Sequence, residues 1–199
     1  MNNDSKFKWN SEGNKIDRVC RRLLQEELLN ENIVGVLDVG DNRIFFKPDI
    51  DLILVNKYYK LSTLELKAVG FSADANGDHK VFLEYISNQN KFIATNGLEG
   101  KGNVLICKAD YFLFYFTKED EYLLMETEKL KEWLLANQTK FPVKSAPTKG
   151  RNGDVLYYSW GVIVPIKILM KEIGAKLIKS HTSFKKYEAA YMSEQKNNY

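Results

Sequence analysis

Apolar residues recur at spacings of three and four between residues 16 and 30, where Ile16, Val19, Cys20, Leu23, Leu24 and Leu28 form one stripe. That period predicts an amphipathic helix, preceded by a loose arm over residues 1–13. Residues 33–39, the turn Gly40-Asp41-Asn42 and residues 44–46 predict a strand, a turn and a second strand. Pro48 interrupts the chain, and Asp51 then heads the apolar run Leu52-Ile53-Leu54-Val55. Residues 61–69 and 81–86 predict two further strands. Residues 87–109 are rich in Asn, Gly and Lys and predict a long loop with room for a short strand; loops of that length are uncommon unless functional. Residues 111–116 and 122–125 predict a hairpin, and Thr127 predicts the cap of a helix reaching about Asn137, with Leu130, Trp133 and Leu134 on one face. Prolines, glycines and charges over residues 140–154 predict a mobile loop. Residues 155–160 follow as a last strand, Pro165 opens a helix reaching about Ile173, and the last ten or so residues are expected to fray. A helix, a run of strands and then helices predict an α/β or α+β fold: a central mixed β-sheet flanked by helices.

Length and composition narrow the class. A chain of 199 residues with 44% hydrophobic and 13% aromatic residues is expected to fold as one domain around a real core, with the arm at its start and a basic region over residues 140–199. No apolar run approaches the roughly 18 residues of a membrane span. The polar N-terminus lacks the apolar centre of a signal peptide. Two cysteines, Cys20 and Cys107, make no disulfide framework and no zinc spacing, so a cytoplasmic, reducing compartment is expected. His79 and His181 are the chain's two histidines and leave little room for histidine chemistry. The net charge of +3 hides an asymmetry. Residues 1–139 hold 18 basic and 22 acidic residues, and residues 140–199 hold 11 basic and 4 acidic. A basic end points to an anionic partner such as nucleic acid, or to a solvated basic helix and tail.

The segment that carries chemistry is Asp49-Ile50-Asp51-Leu52-Ile53-Leu54-Val55 followed by Thr63-Leu64-Glu65-Leu66-Lys67. Side chains alternate faces along a strand, so Glu65 and Lys67 share one face and Leu64 and Leu66 the other. If the two strands pair, Asp51, Glu65 and Lys67 converge at a strand end. Two carboxylates supply the hard oxygens that Mg²⁺ prefers, and the metal lowers the pKa of a bound water. A lysine orients that water or stabilises charge on a phosphoryl oxygen. Other acid-x-Lys tripeptides, such as Asp78-His79-Lys80 and Glu99-Gly100-Lys101, lack this apolar alternation and the acid-headed strand 14 residues upstream. Without a site, the same Glu and Lys would face water and pair across the sheet. Glu27 falls near the middle of the first helix's apolar stripe, and an ionised carboxylate there needs a partner. A metal, an arginine or exposure at the helix end would each meet that need.

These residues resemble the PD-(D/E)xK nuclease superfamily, with its restriction-endonuclease-like fold. Pro48-Asp49-Ile50-Asp51 and Glu65-Leu66-Lys67 carry the resemblance, and it extends more loosely through Glu84 and through Lys108-Ala109-Asp110-Tyr111-Phe112. Those segments are similar to small phage or bacterial members, including Holliday-junction-resolvase-like proteins that act in DNA recombination. The resemblance covers roughly residues 16–138. It implies Mg²⁺- or Mn²⁺-dependent cleavage of DNA, with Asp51 and Glu65 as metal ligands, Lys67 as the water-activating residue and Glu27 as the helix acid. Asp49 is literally the Asp of the Pro-Asp pair and stays open as a ligand beside Asp51. Glu84 is an accessory acid or a solvent-facing strand residue.

Lys144, Lys149 and Arg151 in the 140–154 segment, with Lys167 and Lys171 four apart on the following helix, would hold phosphates without reading sequence. Tyr157, Tyr158 and Trp160 would stack on bases or fill core. The expectation is a metal-dependent endonuclease acting on DNA, branched or structured DNA in particular, and working as a homodimer. A catalytically silent nucleic-acid-binding or inhibitory protein on the same fold is the alternative, and RNA is a further candidate substrate.

Overall fold

A computed structural model describes residues 11–46, 49–70, 78–149 and 152–197. The first helix, α1 (Ser11–Glu27), is followed by strand β1 (Ile33–Asp38), a short helix α2 (Arg43–Phe46), β2 (Leu52–Asn56) and β3 (Leu61–Val69). β1, β2 and β3 form an antiparallel meander. The chain then leaves this sheet through β4 (Lys80–Ile86), α3 (Gln89–Ala94) and α4 (Asn103–Ile106) and returns as β5 (Tyr111–Phe116), parallel to β3. β6 (Glu121–Glu126) pairs antiparallel with β5, and α5 (Thr127–Asn137) follows it. β7 (Val143–Lys149) and β8 (Val155–Pro165) join β4 in a separate antiparallel sheet ordered β4-β8-β7. After α6 (Ile166–Ile173), β9 (Lys176–Lys179) completes the main sheet, ordered β1-β2-β3-β5-β6-β9, and α7 (Phe184–Asn197) runs back over α1. The mixed α+β fold with a central mixed sheet is therefore as the pattern predicts.

The main sheet has an apolar residue on nearly every position of β5, because both of its faces are covered. Leu113 and Tyr115 face the cluster of Val19, Cys20, Leu23 and Leu24 from α1 and Phe184 from α7. Phe112, Phe114 and Phe116 face the cluster built with Val81, Leu83, Val162, Val164, Leu130, Leu134 and Leu169. Each fully buried Leu or Phe contributes about 1.5–3 kcal/mol by leaving water.

Five local expectations are corrected. Residues 44–46 are helical, because Asn42 Oδ1 accepts from the Ile44 amide and turns the chain; β1 pairs instead with β2. Residues 87–109 hold two short helices, the first capped by Asn88, whose Oδ1 accepts from the Lys91 amide. Thr127 is the first residue of α5 rather than its cap, and its buried hydroxyl bonds to nothing among the described residues. Residues 143–149 are strand β7, whose polar side chains left no apolar alternation to read. The terminal segment folds too: α7 extends to Asn197, held to α1 by Arg22–Glu194 at 2.7 Å and Lys15–Glu188 at 3.3 Å. The predicted arm lies mostly outside the described residues, as do Lys47, Pro48 and Arg151. No described helix is long and apolar enough to cross a membrane. Both cysteines are buried free thiols.

Candidate active site

β3 is paired with β5 from Leu64 to Val69 but with β2 only from Leu61 to Leu64. Beyond that point β2 has not yet begun, and the amides of Leu66 and Ala68 on that edge have no strand partner. A buried amide must find an acceptor. Asp51 supplies the first: its backbone closes the ladder, with Asp51 N donating to Leu64 O at 2.9 Å, and its Oδ2 accepts from Leu66 N at 2.9 Å. Asp17 of α1 supplies the second, its carboxylate accepting from the Ala68 amide. The open edge of β3 thus gathers acids from two other elements.

Glu65 and Lys67 stand on the opposite face of β3 from Leu64 and Leu66, as the alternation predicts. Glu65 is only 3% exposed, and Lys67 Nζ lies 2.5 Å from its Oε1. Lys67 also interacts electrostatically with Asp51 and Asp49. Glu84 of β4 faces the same lysine and Asp49, and is held by the Ser159 hydroxyl and the Asn103 amide. Asp49 sits in the left-handed region at φ 52°, a conformation Asp tolerates better than most residues. Its Oδ2 is buried with no hydrogen-bond partner among the described residues.

Lys67 is the cation shared by five carboxylates: Asp17, Asp49, Asp51, Glu65 and Glu84. Burial, reinforced by Asp51 and Asp49, pushes the Glu65 carboxyl well above the ordinary range against the opposing pull of Lys67. Burial likewise raises Asp17, Asp49 and Glu84. Burial alone would lower Lys67, but Glu65, Asp51 and Asp49 outweigh it, so its ammonium is held more tightly than usual. The second cation nearby, Arg21, is shared between Asp51 and two acids outside the cluster. Its Nε is 2.8 Å from Asp38, its Nη2 3.2 Å from Asp41 and its Nη1 3.7 Å from Asp51. Gly40 lies directly over that arginine: a Cβ there would sit 2.6 Å from Asp51 Oδ1 and 2.7 Å from Arg21 Cζ.

The donor set fits a hard divalent cation. It is all oxygen, it carries more negative than positive charge, and one buried oxygen, Asp49 Oδ2, is unpartnered. Among the described residues no three such side chains are already spaced to hold an ion. Lys67, whose side chain keeps 41% of its surface, fills the space between the acids.

The sequence-derived residues are therefore brought together at Asp51, Glu65 and Lys67, with Asp49 and Glu84 alongside. Glu27 is not brought there. It sits at the far end of α1, where its oxygens accept from the amides of His181 at 3.0 Å and Thr182 at 2.6 Å. Burial raises its pKa, but these bonds outweigh burial and the net shift is downward. The helix acid at the cluster is Asp17. Its signal was present: Asp17 lies seven residues before Leu24, so it too falls on the apolar stripe.

Lys144 and Lys149 are exposed on β7, and Lys171 is exposed in the last turn of α6. Lys167 is exposed but ion-paired with Asp78. A cleft of about 390 Å³ lined by Tyr85, Phe92, Lys101 and Leu105 contains none of the five carboxylates. No protein-family model, curated protein or solved structure matches the chain.

Proposed function

We propose that the chain is a metal-dependent endonuclease that hydrolyses DNA phosphodiester bonds. The observation that carries this reading is the convergence of Asp51, Glu65 and Lys67 where β2 parts from β3, with Asp49, Asp17 and Glu84 crowded around them. Asp51 and Glu65 are the proposed ligands of Mg²⁺ or Mn²⁺, with Asp49 Oδ2 a buried oxygen that has no hydrogen-bond partner among the described residues. When bound, such an ion supplies an acidified water and charge stabilisation on phosphate. Lys67 stays protonated among these acids, so its Nζ acts as a donor: it orients the water or a phosphate oxygen rather than taking up a proton. Its half-exposed side chain lets it move off Glu65 when a cation or a phosphate arrives.

The test is cleavage of linear, nicked and four-way DNA by purified protein with Mg²⁺ or Mn²⁺, against EDTA and beside an RNA panel. Metal-dependent cutting that is lost in Glu65→Ala and Lys67→Ala supports the reading. Absence of cutting on every DNA overturns it. One observation favours a second reading, a silent nucleic-acid-binding or inhibitory protein: the 2.5 Å contact that lets Lys67 neutralise Glu65 without a metal. That reading expects DNA binding that neither Mg²⁺ nor Glu65→Ala alters.

A further inference from the structure

The Gly-rich segment between β4 and β5 returns along the open edge of β4, and a bulge in that strand meets it. Glu84 pairs with Gly161 and Ile86 with Trp160, so Tyr85 is the extra residue. A bulge re-aims the side chain at such a position. On the open edge Lys101 bridges Ile86, and Gly102 N donates to Tyr85 O at 2.8 Å. A Cβ on Gly102 would lie 2.2 Å from Glu84 O, so only glycine permits this approach. Lys101 is thereby held beside Tyr85. The two line the cleft of about 390 Å³ together with Phe92 of α3, Leu105 of α4, Lys131 of α5 and Gln138 just beyond it.

Two lysines and no acid line this cleft. Lys101 is exposed. Lys131 Nζ lies 2.7 Å from Glu128 of the same helix, an acid 76% exposed; such a pair is weak, so an incoming phosphate can take the ammonium. Tyr85 and Phe92 are half-buried, and aromatic rings are platforms on which any base stacks. Gln138 adds an amide that both donates and accepts. The volume is at the small end of the range for ligand sites and suits one nucleotide rather than a length of strand. A purely apolar guest would leave the two ammonium groups unused, and a bare anion would leave the rings unused. A base with its phosphate uses both. The cleft also adjoins the carboxylate cluster. Tyr85 follows Glu84 directly in the chain. The Cys107 thiol donates to Asp49 O at 3.5 Å, and Lys131, from the cleft, acts electrostatically on the same sulfur.

The geometry points to this cleft as the site for a single unpaired nucleotide of the DNA next to the bond held at the carboxylate cluster, its base against Tyr85 and Phe92 and its phosphate on Lys101 and Lys131. The choice of DNA, and of a nucleotide within the strand rather than a free one, rests on the proposed nuclease function.

The experiment measures anisotropy of three labelled duplexes of one sequence in EDTA: fully paired, with one unpaired deoxyadenosine, and with an abasic residue at that unpaired position. The wild-type chain should bind the second about tenfold more tightly than the other two, the gain expected of one stacked base. Phe92→Leu should reduce that preference to about twofold or less. Lys101→Gln should lower the slope of log affinity against log salt on the unpaired-base duplex by about one. Circular dichroism checks both folds; should Phe92→Leu misfold, the abasic duplex and Lys101→Gln carry the test. Equal binding of the three duplexes overturns the proposal. So does a preference that the abasic duplex shares or that a folded Phe92→Leu retains, and so does an unchanged salt slope in Lys101→Gln. Deoxyadenosine monophosphate is titrated as a competitor. If it binds more tightly than the unpaired-base duplex, the cleft serves a free nucleotide and the proposal falls. Binding and cutting are read separately. A chain that shows the preference in EDTA and cuts nothing with Mg²⁺ overturns the nuclease reading alone, and a chain that cuts without the preference overturns the cleft assignment alone.

Discussion

The two ends of α1 each place an acid on the helix's apolar stripe, and the protein treats the two acids in opposite ways. Glu27, seven residues after Cys20, is met by backbone amides of His181 and Thr182, which hold its carboxyl below the ordinary range despite partial burial. Asp17, seven residues before Leu24, is met by one amide, Ala68, and by the field of Asp51; burial raises its carboxyl. The first acid is neutralised by dipoles and ties the start of α7 to α1. The second joins the acids around Lys67, where burial and Asp51 outweigh the pull of Lys67, the Ala68 amide and Arg21. A carboxylate on an apolar stripe therefore signals a buried partner, and the identity of that partner decides between structure and chemistry.

The largest effects should come from the cluster itself. Glu65→Ala and Lys67→Ala are each expected to lower DNA cleavage by about 10³-fold, read as single-turnover rates with Mg²⁺. Glu65→Ala should not unfold the chain, whereas Lys67→Ala deprives the buried acids of their shared cation and should destabilise it, so its fold is checked by circular dichroism. Glu65→Ala removes a costly buried charge, and Lys67 keeps Asp51 and Asp49 as partners. Next comes Gly40→Ala. Its methyl would meet Asp51 Oδ1 at 2.6 Å and the Arg21 guanidinium at 2.7 Å, and both belong to the network that holds Asp51 in place. A loss of about 2 kcal/mol by denaturant titration is expected, with a matching loss of cleavage, because the strain falls on a buried arginine. A similar change at the Glu27 end has no route to the reaction.

What the sequence showed and what it hid divide along the same line. Period-two alternation put Glu65 and Lys67 on one face of β3 without any knowledge of the fold, and the spacing of Asp51 ahead of Leu52 placed it at a strand mouth. The α1 stripe and the β5–β6 hairpin were legible because each buries a regular face. Choosing between Asp17 and Glu27 was not possible from periodicity, since both satisfy it. That choice depends on which turn of α1 crosses the open edge of β3, and this is fixed by how far β2 pairs. β7 was hidden for another reason: a strand exposed on both faces has no apolar alternation, and its partner β8 reads as an isolated run. α2 depended on a single Asx turn at Asn42.

The pH dependence of stability should separate the two ends at smaller magnitude. Asp17, Asp49, Glu65 and Glu84 all have folded pKa values above their unfolded ones. At a pH below about 4 both states are protonated and nothing is lost. As pH rises past the unfolded value, the unfolded chain releases protons that the folded chain retains, so stability falls from about pH 4 upward. A divalent cation opposes this loss. The increase in Tm with Mg²⁺ should be roughly 5 °C at about pH 8 and near zero at about pH 5, by calorimetry. An Mg²⁺ shift equal at both pH values would place the ion away from this cluster.

The smallest and most discriminating effect is the opposite sign expected for two isosteric changes on one helix. Glu27 has a lowered folded pKa, so it stabilises the protein above its unfolded pKa and loses that contribution as pH falls through the folded value. Glu27→Gln replaces two charge-assisted bonds with neutral ones and should cost about 1 kcal/mol at neutral pH, with the Mg²⁺ shift in Tm unchanged. Asp17→Asn retains an oxygen for the Ala68 amide and removes a charge that burial disfavours. Without metal it should stabilise the chain by roughly 0.5 kcal/mol at neutral pH, and it should reduce the Mg²⁺ shift. Paired denaturant titrations with EDTA and with Mg²⁺ measure both. If the two variants destabilise alike and leave the Mg²⁺ shift alike, the two ends of α1 do the same work and Asp17 has no part in holding a cation. If the signs differ as stated, the same helix carries a structural acid at one end and a functional one at the other, separated by the partner each acid meets rather than by anything in its own position on the stripe.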